Sequence, residues 1–191
     1  MTVKDILKIV CEFIEQNEIL SKWNASIALN TYEQNTVDFL VKCFNLVNQE
    51  IASEYLPLLC TEAVDVENDF LDFSSLSNTV LNIVSVEDEN SMTLRYKKYP
   101  NSIKIFGYAK SVTYNFLPED LTISDDVSLF NGLTARVYAY GIASEFFLVK
   151  GMSSEAQIFE ERFKQGLFAL SRQKGEHRMP RRRFLWFFIK I

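Results

Sequence analysis

The sequence predicts an α+β fold: a helical bundle interrupted by a small antiparallel β insertion domain, with an extended basic and aromatic C-terminal arm. Three observations predict it. Apolar residues recur at helical steps in the first third of the chain and again after Pro118; the period falls to roughly two between Leu58 and about Leu117; and an acidic body gives way to a basic end. The boundaries that follow are 1–56 for N-terminal helices, 57–118 for the β insertion, 119–171 for a helical hairpin packing on the N-terminal helices, and 172–191 for the arm.

Ile6, Ile9, Val10, Phe13 and Ile14 share one helix face, and Asn17 and Ser21 with Trp23 suggest a break before a second short segment. Asn30 to Gln34 is polar enough to read as a loop. Thr36 then caps a longer helix whose stripe is Val37, Leu40, Val41, Phe44, Val47, Ile51 and Tyr55. Pro57 disfavours a helical Leu56 and ends it. Six runs rich in β-formers follow, at Ala63 to Val66, Phe70 to Phe73, Thr79 to Val86, Met92 to Tyr99, Ser102 to Phe106 and Ser111 to Phe116. Turn-forming residues at 87–90, Pro100-Asn101 and Gly107 separate them, which implies a sandwich or open barrel. After Asp125-Asp126, Val127 to Val149 reads as a helix with Ala139, Gly141, Ala143 and Ser144 placed for close approach of another helix. Gly151 ends it, and Ser153 or Ser154 caps a partner helix running to about Ser171, so the two form an antiparallel hairpin.

The chain has 191 residues, a net charge of −5 and a 48% hydrophobic composition, enough for one domain with its own core and too apolar for disorder. With a single histidine, His177, neither a Ser-His-Asp triad nor a multi-histidine zinc site can be assembled within the chain. Cys11, Cys43 and Cys60 are far apart and odd in number, and they read as small apolar residues of a cytosolic protein. No metal, cofactor or membrane segment is expected. The six glycines form no phosphate-cradling loop, and Ser74-Ser75-Leu76-Ser77 has no base beside it. The acid runs at Glu87-Asp88-Glu89, Glu119-Asp120, Asp125-Asp126 and Glu160-Glu161 fall in turns or on polar faces and read as solvated surface. Helical spacing assigns Tyr138, Tyr140, Phe146, Phe147, Phe159, Phe163 and Phe168 mostly to the core. Tyr96, Tyr99, Tyr108, Tyr114 and Phe116 divide between the faces of the sheet.

The arm is where the sequence predicts binding. From Arg172 to Ile191 there are seven basic residues and one acid, whereas the preceding 171 residues carry 13 basic and 24 acidic ones. Arg178, Arg181, Arg182 and Arg183 stand beside Phe184, Leu185, Trp186, Phe187 and Phe188, without an amphipathic period. A buried final strand, a short membrane-surface anchor and a docking arm all fit this composition. The docking arm is favoured, with arginines for bidentate contacts and Phe184, Trp186, Phe187 and Phe188 as anchors. Direct DNA binding is the weaker expectation because the acidic body would repel phosphate.

Three segments, Phe44 to Leu58, Val112 to Leu121 and Arg136 to Phe147, together with the order of helices, β insertion, helices and arm, resemble the head-to-tail connector proteins of tailed bacteriophages, a group that includes tail tubular and head-completion adaptors. The resemblance implies a non-enzymatic phage or prophage virion protein of the neck, assembled in the bacterial cytoplasm. It implies a homo-oligomeric ring, twelve-fold to match a portal, that docks on the portal protein and on tail or neck proteins. DNA would pass through its channel without sequence-specific binding. The alternative is a tail or baseplate recognition module whose β domain binds a carbohydrate or a host protein. Exposed aromatics on one sheet face would favour it.

Overall fold

A computed structural model describes residues 1–127, 130 and 132–174. The fold is α+β, and the described residues form five helices and two three-stranded antiparallel sheets. Helices α1 (Val3–Phe13), α2 (Asn17–Asn24) and α3 (Thr31–Glu50) precede strands β1 (Leu58–Glu67), β2 (Phe70–Asp72), β3 (Thr79–Glu87), β4 (Arg95–Lys98), β5 (Ser102–Phe106) and β6 (Tyr108–Leu117), and α4 (Ala135–Val149) and α5 (Ser153–Lys174) complete the order.

Reciprocal capping sets the starts of α1 and α3. Thr2 Oγ1 accepts from the Asp5 amide while the Asp5 carboxylate accepts from the Thr2 amide. Asn30 and Glu33 repeat the exchange at 2.9 and 2.7 Å. The polar stretch expected to be a loop is therefore the cap and first turn of α3, and Thr36 lies inside the helix, its hydroxyl donating to the Tyr32 carbonyl. Glu33 is only 3% exposed because Lys22 of α2 donates to both of its oxygens, at 2.6 and 2.7 Å. At its far end α3 widens into one π-helical turn, Ile51–Tyr55, closed by Leu56 N–H to Ile51 C=O at 2.7 Å. Pro57 stops it there, and β1 begins at Leu58, five residues earlier than the sequence suggests.

β1 and β3 both pair with β6, giving the order β1-β6-β3, and β5 lies between β2 and β4 in the second sheet. Leu71, Ile103 and Ile105 of the second sheet and Ile83, Val86, Val112 and Tyr114 of the first share one apolar core, so the unit is a small sandwich. Register breaks in β1 and β3 mark bulges, which twist the outer strands of the first sheet.

None of the described residues between Leu117 and Thr134 is helical, and α4 begins at Ala135 instead of at Val127 as expected. The stretch 121–125 crosses the start of α1, whose otherwise orphaned Val3 and Lys4 amides donate to the Asp125 and Ile123 carbonyls at 3.0 Å each. Asn45 of α3 fastens the same segment by bonding both backbone groups of Leu121, at 2.9 and 3.1 Å. α4 then starts behind the Thr134 cap. It packs on α1 and α3, and through the Lys150-Gly151-Met152 turn α5 returns antiparallel along it, with Ser153 and Ser154 inside the first turn of α5. A Cβ at Gly141 would lie 2.8 Å from Val47 Cγ1 and 3.0 Å from Phe163 Cε2, so the missing side chain lets three helices meet. Stacked rings fill the seam, with centroids 5.3 Å apart for Phe13 and Tyr140 and 5.5 Å for Phe147 and Phe159.

Candidate functional site

Strand alternation builds an exposed face on the second sheet. Leu71, Ile103 and Ile105 point into the sandwich, so Phe70, Lys104 and Phe106 point out, joined by Arg95 and Lys97 of β4 and by Tyr99 just beyond it. Phe70, Phe106 and Tyr99 remain 47%, 45% and 38% exposed. The twelve residues of this sheet carry four bases and one acid, in a chain whose net charge is negative. Register sets Lys97 directly opposite Lys104, a like-charge pair that costs stability. The aromatic quadrupoles offset part of that cost. Lys104 Nζ lies 5.5 Å from the Phe70 ring and 6.0 Å from that of Phe106, Arg95 is 5.8 Å from Phe106, and Lys97 is 5.4 Å from Tyr99. Each such exposed pair contributes about 0.5–1 kcal/mol. A basic, aromatic, half-solvated face of this kind can receive an anionic partner that also offers apolar surface.

A second feature lies on the helical part, where α4 and α5 meet the end of α3. Glu50, Glu145, Leu148 and Glu160 line a crevice of about 120 Å³ above Gly141 and Phe163. Burial pushes the Glu50 carboxyl above the usual carboxylate range, and Glu54 and Glu145 push it further, against a smaller opposing effect from Lys164. Lys164 itself pairs with Glu160 one helical turn away. Among the described residues no group of three or more His, Cys, Asp and Glu side chains could hold a metal ion.

The acids at 89, 119–120 and 160–161 are exposed, Glu87 is instead the half-buried last residue of β3, accepting from Ser85 Oγ, and Asp125 accepts from the Thr122 amide and hydroxyl within its own loop. Like Glu33, Glu62 does meet convergent partners. It accepts from the Tyr114 hydroxyl and from Ser77 N and Oγ, both at 3.1 Å. These bonds hold Glu62 below its ordinary pKa, the Tyr114 bond most of all, while burial and then Glu62 push Tyr114 up to about 12. Neither group changes charge near neutrality, which makes the pair a strut between β1 and β6. Burial also pushes the Cys11 and Cys43 thiols up to about 11, the behaviour of inert core cysteines, whereas Cys60 is half-buried.

The residues that the sequence nominates for binding, Arg178, Arg181, Arg182, Arg183, Phe184, Trp186, Phe187 and Phe188, lie outside the described residues. Of the helical aromatics, Tyr138, Phe146 and Phe163 are buried, Tyr140, Phe147 and Phe159 pack on the core, and Phe168 stands at the surface. On the sheets Tyr114 is buried, and Tyr99 and Tyr108 are exposed. The outward set Phe70, Arg95, Lys97, Lys104 and Phe106 was not nominated, although Arg95-x-Lys97-x-Tyr99 and Lys104-x-Phe106 carry the period of two that reveals it. No helix among the described residues is long and apolar enough to cross a membrane. The chain matches no protein-family model and no curated protein.

Proposed function

We propose that this protein is a non-enzymatic assembly subunit, a head-to-tail adaptor that forms a ring on the portal of a tailed phage or prophage and continues the DNA channel toward the tail. The observation that carries this reading is the position of α5. This 22-residue helix ends at Lys174, and in the sequence the arginine and aromatic segment suited to docking follows it. Leu148, Val149 and Ile158 are exposed on the α4–α5 hairpin, apolar area that contacts with neighbouring subunits would cover. The non-enzymatic part is supported by solvated acid runs and by a Glu62–Tyr114 pair in which the carboxylate stays ionised and the phenol stays protonated near neutrality.

Deleting the residues after Met179 tests the proposal. The truncated protein should keep its circular dichroism and melting temperature yet fail to join a portal, scored by light scattering and negative-stain images. A truncated chain that still assembles on portal sinks the arm's role. The outer face of the second sheet favours a second reading, a recognition module for a carbohydrate or host protein. Binding of the intact chain to host envelope glycans, lost in Phe70→Ala with Phe106→Ala, would support it.

A further inference from the structure

We propose that the outer face of the second sheet is one half of a head-to-tail contact between copies of this chain. Its counterpart on the next copy is the acidic helical surface around Glu145 and Glu160. The inference rests on the ring reading above and names the surfaces that such a ring would use.

The sheet face carries its own argument for an anionic occupant. Lys97 and Lys104 are held opposite one another with Arg95 and two phenylalanines around them, and Asp72 is the only acid in the sheet. An arrangement that costs the monomer stability is relieved when carboxylates dock on it. The body of the same chain supplies them: Glu50, Glu145 and Glu160 cluster around the α3–α4–α5 junction with Lys164 among them. Leu148, 58% exposed, stands one helical turn from Glu145 and offers apolar area to the phenylalanines. On a body with more acids than bases, the basic sheet face is one surface that attracts the carboxylates of a second copy.

The two surfaces belong to different parts of the fold, one on the β unit and one on the helical hairpin. A contact between unlike patches that no two-fold axis closes repeats from copy to copy, ending in a ring or extending as a filament. Three strands about 4.8 Å apart and some four residues long give a face of roughly 14 by 14 Å, about 200 Å². That is well below the ~800 Å² per partner of a stable complex, so the contact sets direction and register while other surfaces of the subunit add affinity. Phosphates could meet the same bases, but the surrounding acids disfavour a polyanion longer than the patch.

The test uses the full chain. An equal mixture of ¹⁴N- and ¹⁵N-labelled protein at the highest soluble concentration, alone and with portal, is treated with a zero-length carbodiimide, and the links are mapped by mass spectrometry. Mixed-label links from Lys97 or Lys104 to Glu145 or Glu160 are expected. Lys97→Glu with Lys104→Glu, and separately Glu145→Lys with Glu160→Lys, should each weaken association on the order of tenfold or more, and the chain carrying all four changes should recover it. Circular dichroism of every variant checks the fold. Rings whose formation ignores the charge changes refute this contact and leave the ring reading standing. A chain that stays monomeric with and without portal refutes both. Loss of single-stranded oligonucleotide or acidic glycan binding in Lys97→Glu/Lys104→Glu, with association intact, assigns the face to a foreign ligand and also refutes the contact.

Discussion

Replacing Tyr138 by phenylalanine removes one oxygen atom from the seam between α4 and α3. Tyr138 is 1% exposed, and its hydroxyl donates to Asn48 Oδ1 at 3.2 Å, while the Asn48 Nδ2 has no hydrogen-bond partner among the described residues. Tyr138→Phe therefore leaves a buried amide with neither end satisfied, at a cost of about 1–3 kcal/mol. A chain of this length loses roughly 2–4 °C of melting temperature per kcal/mol, so a mid-range cost of about 2 kcal/mol lowers the midpoint by about 4–8 °C. Asn48→Leu alone strands the tyrosine hydroxyl and is destabilising for the same reason. Removing both partners takes away the unsatisfied groups together, so the double variant should lie well above the sum of the two, with a coupling of at least about 1 kcal/mol. Urea denaturation of the four proteins, followed by circular dichroism and fluorescence to check that the transitions coincide, measures the cycle. A Tyr138→Phe midpoint indistinguishable from the parent, or a strictly additive double variant, would refute the account of this seam.

Two glutamates should respond to pH with opposite signs. The hydrogen bond from Lys22 and then that from the Asn30 amide hold Glu33 below its ordinary pKa, so its contribution is present above the unfolded value of about 4.3 and is lost as pH falls through the depressed folded value. Glu33→Gln should lower the melting temperature at pH 7, with the gap closing in acid. Glu50 is pushed up, chiefly by burial, so the fold is favoured below the unfolded pKa and loses that contribution as pH rises through the folded one. Glu50→Gln should raise the melting temperature at pH 7 and change little near pH 3; parallel melts across that range check both. At Gly141, alanine is the better helix former by about 1 kcal/mol, yet its Cβ would press on the buried Val47 and Phe163, and overpacking costs about 1–3 kcal/mol. Gly141→Ala should lower the denaturation midpoint, and a rise would show that the three helices separate freely.

The helix and strand periods were legible because buried faces impose them, and the hairpin turn at Gly151 was legible because a φ of +76° favours glycine. The start of α3 was misread because Asn30-x-x-Glu33 is polar. The same spacing is a capping box, and read so it would have given the boundary. The stretch 121–125 takes its shape from long-range bonds to Asn45 and to the α1 amides, which no local pattern encodes. The π-helical turn and the division of six strands into two sheets are likewise products of tertiary packing. The basic aromatic face was half legible: alternation marks its members within each strand, and only cross-strand register brings Lys97 against Lys104 and Arg95 against Phe106.

The β unit enters and leaves the helical body through its own first and last strands, with Leu58 opposite Phe116 in the antiparallel β1–β6 pair. Its two chain ends are thus neighbours, and a short loop between Tyr55 and Pro118 would close the gap if the unit were cut out. An appendage attached by adjacent ends can be lengthened, exchanged or shed during evolution without re-registering the bundle beneath it. Its surface can therefore diverge quickly to follow a changing neighbour while the helices and their seams stay put.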